Sequence, residues 1–82
     1  MDFLVIDDDR GFREATCFLI ENESHYAEGV GTGDAARQRL KEDRFDVVLL
    51  DLRLGAEDGL AVLDEITRNH PKPDAASIKS FE

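Results

Sequence analysis

Phe3-Leu4-Val5-Ile6-Asp7-Asp8-Asp9 is the stretch that decides the fold, and Val47-Val48-Leu49-Leu50-Asp51 repeats its logic later in the chain. Each is a short aliphatic run that ends abruptly on carboxylate. Four consecutive apolar residues, bounded by polar punctuation, read as a strand buried on both faces of a parallel sheet. In open parallel sheets, chemistry gathers beyond the carboxyl ends of the strands. Neighbouring strands lie roughly 5 Å apart, so adjacency of these two brings Asp7, Asp8 and Asp51 to one spot. Such a cluster is suited to a cation.

Working outward, strand and helix alternate. A helix is predicted from Gly11 to about Glu23, capped by Asp9, with Phe12, Ala15, Thr16 and Leu19 on its inward face. A weaker strand covers Tyr26 to Val30, and a second helix runs from Asp34 to about Asp43. The strongest strand spans Asp46 to Leu52. Asp58 is the expected cap of a third helix, whose apolar side is Leu60, Val62, Leu63 and Ile66. Asn69-His70-Pro71-Lys72-Pro73 stops it, because proline cannot continue a helix and restricts the residue before it. Three strand–helix units with right-handed crossovers give an α/β, flavodoxin-like parallel sheet with flanking helices.

Bulk properties exclude several functions. The 82 residues fit one small domain, and the net charge of −9, with no basic stripe, argues against direct nucleic-acid binding. A membrane role is not expected, since no apolar run approaches the ~20 residues that span a bilayer. Cys17 is the single cysteine, so no internal disulfide forms, and a reducing, cytoplasmic setting is expected. The first strand begins almost at the N-terminus, so no signal peptide is expected.

Three motifs in order resemble the response-regulator receiver domain of two-component signalling. They are Leu4-Val5-Ile6-Asp7-Asp8-Asp9, then Asp51-Leu52-Arg53-Leu54, then Glu57-Asp58-Gly59-Leu60. The spacing of 43 residues from Asp8 to Asp51 suits a strand, helix, strand, helix and strand between them. The resemblance implies that Asp51 is the phospho-acceptor and that Asp7, Asp8, Asp51 and the Arg53 backbone carbonyl hold Mg2+. It also implies a histidine kinase or phosphotransfer protein as donor. Three carboxylates this close repel one another, and magnesium, which prefers oxygen ligands, relieves that repulsion. A lone aspartate at a strand end is more often a solvated turn or a helix cap; the full constellation is not. The competing reading is a phosphorylation-independent dimerisation module derived from a receiver. An enzyme is not expected, because no general acid is identifiable and Arg53 occupies the place of the second aspartate in an Asp-x-Asp phosphatase motif.

The remaining candidates are weaker. Gly29, Gly31 and Gly33 read as turn glycines, since they lack dinucleotide-loop spacing. His25 and His70 have no third ligand nearby in sequence, and nothing marks Cys17 as reactive. The resemblance covers residues 1–70, with 71–82 expected as an extended tail. A complete receiver continues to a Ser or Thr after a fourth strand and a Lys after a fifth, and no apolar strand run follows Pro73. Ser77-Ile78-Lys79-Ser80-Phe81 resembles the family's Lys-Pro-Phe ending, as if the intervening strands were deleted. On that reading the third strand is an exposed edge, and a homodimer through it, the first helix near Phe18 and the tail is expected.

Overall fold

A computed structural model describes residues 1–55 and 57–70 and the backbone of 74–78. In chain order the elements are β1 (Asp2–Ile6), α1 (Arg10–Asn22), β2 (Tyr26–Val30), α2 (Gly33–Glu42), β3 (Val47–Asp51), α3 (Gly59–Asn69) and β4 (Asp74–Ile78). The strands form one parallel sheet in the order β2-β1-β3-β4. That is the flavodoxin-like arrangement expected from the alternation, and the elements through β3 fall within one residue of their sequence-read limits.

Local chemistry starts each helix. Asp9 Oδ1 accepts the Phe12 N–H at 3.1 Å, Thr32 Oγ1 the Ala35 N–H at 3.1 Å, and Asp58 Oδ1 the Leu60 N–H at 3.0 Å. Each satisfies an amide that has no partner inside its helix.

The core lies mainly on one face of the sheet. Leu4 and Ile6 of β1 sit in register with Val48 and Leu50 of β3, and these four pack with Ala36, Leu40, Leu54, Val62 and Ile66. Right-handed crossovers explain the side, because β2-to-β3 and β3-to-β4 both move the same way across the sheet. Val5 points to the opposite face and is equally buried, since α1 packs over β2 and β1. Val47 and Leu49 on that face are only half-buried, so burial on both sides holds for β1 and only partly for β3.

Two expectations are corrected here. α1 turns a different face inward: Phe12, Thr16, Cys17 and Ile20 are half-buried, whereas Ala15 and Leu19 are exposed. Both stripes have helical spacing, so periodicity alone did not choose between them. The second correction is β4. Its backbone pairs parallel with β3, from Val47↔Asp74 to Asp51↔Ile78. The third strand is therefore not an exposed edge, and the physical ground for a homodimer through it is gone. The expected likeness of residues 77–81 to the family's distal ending falls largely outside the described residues, which reach only Ile78. Asp74-Ala75-Ala76-Ser77-Ile78 escaped detection because it has one branched aliphatic residue and two alanines, which strands disfavour. Backbone pairing to an already anchored neighbour overrides that weak propensity. The rest of the expected tail, 71–73 and 79–82, lies outside the described residues.

The one-sided core generates a contrast. Leu4→Ala removes a side chain with no solvent exposure and should cost about 3 kcal/mol. Leu19→Ala, at a side chain that is 65% exposed, should change stability by less than about 0.5 kcal/mol. Urea unfolding of the two variants measures this; equal losses would place Leu19 back in the core.

Candidate functional site

β1 and β3 are adjacent, so their carboxyl ends deliver Asp7, Asp8 and Asp51 together. One carboxylate oxygen from each lies within 4.8 Å of the others. Asp7 is fully buried, Asp51 is 3% exposed, and Asp8 is open to solvent. Two walled-in carboxylates under a third, solvent-facing one form a site with an opening.

Asp7 is held on three sides. Its N–H donates to the Val30 carbonyl at 3.0 Å, continuing the β1–β2 pairing by one residue. Its carbonyl accepts from Arg13 Nη1 at 2.7 Å, and its Oδ1 accepts the Asp9 N–H at 2.9 Å. The fourth polar atom, Oδ2, is buried with no hydrogen-bond partner. Burial pushes the Asp7 carboxyl above its ordinary value; the Asp9 N–H opposes this, and the negative charge of Asp51 and Asp8 adds to it. An unpartnered buried carboxylate oxygen facing further carboxylates is what a hard cation satisfies. The donor set, all oxygen, fits magnesium.

Asp51 Oδ1 accepts the Arg53 N–H at 2.9 Å, which orients the carboxylate from within its own loop. The Arg53 carbonyl accepts the Gly55 N–H at 2.9 Å. Gly55 has φ of +57°, a conformation that costs other residues energy, and a Cβ there would sit 3.3 Å from Asp8 Oδ2. Glycine thus lets the β3–α3 loop close down on Asp8. The loop is also tied laterally. Glu57 Oε1 accepts the Gly33 N–H at the start of α2, at 2.7 Å, and Arg37 of α2 bridges to Glu57 at 3.5 Å and to Glu65 of α3 at 2.8 Å.

The structure thus brings together Asp7, Asp8 and Asp51 as read from the sequence, with Arg53 on the same loop as Asp51. Among the described residues this trio is the group of His, Cys, Asp and Glu side chains placed to hold a metal, and neither histidine joins it. His25 instead stands against the Phe3 ring, 5.4 Å between centroids. Cys17 is half-buried on α1, and burial, reinforced by Glu21, pushes its thiol up, away from reactivity. Sequence reasoning gave no role to Arg13 or Gly55 and read Glu57 only as part of a motif, because their partners are distant in the chain or are backbone atoms. Gly29 was misread as a turn glycine and lies within β2.

A parallel sheet in this strand order, with carboxylates gathered at the ends of its first and third strands, is the architecture of a receiver-type α/β domain, and comparison with known proteins names the family. The family model described as "Response regulator receiver domain" matches residues 3–78, and the chain belongs to that family. Transcriptional regulatory protein ZraR of Escherichia coli K12 is 32% identical over 71 residues, covering 87% of this chain and 16% of the relative. NtrX from Brucella abortus, solved in complex with ADP, is 32% identical with a TM-score of 0.87, covering 95% of this chain and 17% of that one. TrrA from Thermotoga maritima, solved in complex with Mg2+ and BeF, has a TM-score of 0.90 at 22% identity, covering 99% of this chain and 70% of that one. At that identity the TrrA likeness establishes the fold. The chain spans between 16% and 32% of the length of the curated relatives it matches.

Family membership also corrects one expectation. The domain was read as not an enzyme, but response regulator receiver domains carry phosphoryl-accepting aspartate chemistry, so the non-enzyme description does not stand. No helix among the described residues is long and apolar enough to cross a membrane.

The state of Asp7 has a measurable consequence for the metal-free domain. A carboxyl whose folded pKa is raised gives stability that is present below its unfolded pKa and lost as pH rises through the folded value. Asn at position 7 keeps an oxygen for the Asp9 N–H and places an amide NH2 where Oδ2 lacked a partner. Asp7→Asn should therefore be more stable than the parent at neutral pH without divalent ions. The gain should shrink as pH falls toward the ordinary aspartate value of 3.8. Thermal melts across that range check it; a pH-independent difference, or a less stable variant, would contradict the assignment.

Proposed function

We propose that this domain is the phospho-accepting receiver of a two-component system, taking a phosphoryl group from a histidine kinase or phosphotransfer protein onto Asp51. Mg2+ is held by Asp7, Asp8, Asp51 and the Arg53 carbonyl. The observation that carries the reading is the buried, unpartnered Asp7 Oδ2 beside Asp51. When bound, magnesium would supply positive charge that shields an incoming phosphoryl group from the carboxylates.

The chain's own groups do the rest. The Arg53 N–H holds Asp51 Oδ1, so the carboxylate meets phosphorus in a fixed orientation. Attack by the Asp51 carboxylate forms the O–P bond as the P–N bond to the donor histidine breaks, and the leaving imidazole takes up a proton. The acyl phosphate adds roughly −1.5 to −2 charges at the head of the β3–α3 loop. Glu57 and Arg37 connect that loop to α2 and α3, and thus provide a route by which added charge reaches the surface. A cytoplasmic location follows from the same reading, since such donors act there.

Treatment with a small acyl phosphate followed by intact mass spectrometry tests the acceptor. The parent should gain one phosphoryl mass with magnesium present, and the gain should fall away with a chelator or in Asp51→Asn. Equal gain in the parent and Asp51→Asn would remove Asp51 from the role.

A further inference from the structure

Arg13 lies on α1, in neither motif strand, yet its guanidinium reaches the end of β1. The path it takes is unusual. An added Cβ on Gly29 would sit 2.7 Å from Arg13 Cγ and 2.9 Å from Cδ, and one on Gly31 would sit 3.0 Å from Arg13 Nη1. Neither glycine has the positive φ that demands glycine, so their backbone conformation does not explain them. What explains them is the space they leave. The Arg13 stem runs over β2 where Gly29 has no side chain, and the head passes Gly31 to donate to the Asp7 carbonyl at 2.7 Å.

That carbonyl belongs to the peptide plane joining Asp7 to Asp8. Peptide planes are rigid, so fixing its oxygen fixes the base from which the Asp8 side chain departs and the C-terminal side of Asp7. The Val30 carbonyl fixes the other side through the Asp7 N–H. A charged donor makes the stronger kind of hydrogen bond, and the half-buried setting limits competition from water. We infer that Arg13 is a positioning residue for the acidic site, threaded past Gly29 and Gly31 to hold the Asp7–Asp8 peptide in its metal-ready orientation. This rests on the reading of Asp7, Asp8 and Asp51 as a magnesium site.

The consequence is a coupled trio, Arg13 with Gly29 and Gly31, acting on cation affinity through backbone geometry. Partners that orient ligands from behind typically change metal affinity by 10–100-fold when removed. Arg13→Ala should therefore weaken magnesium binding about tenfold. Arg13→Lys keeps a charged donor without the planar fork and should recover part of the loss. Gly29→Ala should reproduce the weakening, because its methyl group displaces the Arg13 stem near its root, where it cannot swing aside.

The decisive experiment is a double-mutant cycle on the full 82-residue chain, reading magnesium affinity from amide shifts of Asp8 and Asp51, with unfolding midpoints measured in parallel. The expected result is that Gly29→Ala weakens binding in the parent but has little further effect in the Arg13→Ala background. Additive losses, or an affinity unchanged in Arg13→Ala while the unfolding midpoint falls, would overturn the inference and leave Arg13 a packing residue. If the parent itself gives no magnesium response at Asp8 and Asp51, the metal-site reading fails first. The two failures are thus told apart. Should Arg13→Ala not fold, Gly29→Ala and Arg13→Lys close the same question: weakened binding in both supports the inference, and parent-like magnesium affinity in Gly29→Ala would overturn it.

Discussion

Asp7 has four polar atoms, and the fold satisfies three of them. Its amide is spent on β2, its carbonyl on Arg13 and its Oδ1 on the Asp9 amide. Oδ2 remains buried beside Asp51. Leaving a buried polar atom unmade typically costs about 1–3 kcal/mol, and more when it is charged. In a domain of this size that is a sizeable fraction of total stability. Such an arrangement persists because the sheet over-determines it: β1 is clamped between β2 and β3, with Leu4, Val5 and Ile6 fully buried. The strand ends where it does, and its carboxylate faces where it must. Under the proposed function, a cation at this cluster is what would resolve the conflict that the backbone creates.

The site is held by the same elements that bury the core. Leu50 packs beneath the sheet while the next residue, Asp51, faces the acidic cluster, so one strand alternates between structure and chemistry. Gly55 allows the loop after β3 to approach Asp8, and Glu57 pins the far end of that loop to the start of α2. Arg37 then joins α2 to α3 through Glu65. A change of charge at Asp51 therefore acts on a loop with defined anchors on both helices. Exposed ion pairs contribute little to stability, so the value of these contacts lies in where they hold the loop.

Much of this was legible in the sequence. Two aliphatic runs ending on aspartate set the central strands, and their parallel adjacency is enough to bring three carboxylates together. The helix caps Asp9 and Asp58 were readable because capping is local chemistry. What escaped was non-local or weakly encoded. β4 carries small residues and gains its identity from pairing with β3. The inward face of α1 differs from the expected stripe by a modest rotation that only packing decides. Arg13 and Gly29 are far apart in the chain and joined only by the space one leaves for the other.

The central claim is that Asp7 is a strained, buried carboxyl whose strain a divalent cation relieves. Carbon-13 titration of the Asp7 side-chain carboxyl, without and with saturating magnesium, tests it directly. Without metal, Asp7 should titrate above the ordinary aspartate value of 3.8. With magnesium its midpoint should fall below the metal-free one, because bound positive charge favours the ionised form. An Asp7 titration that is identical in the two conditions would contradict the account.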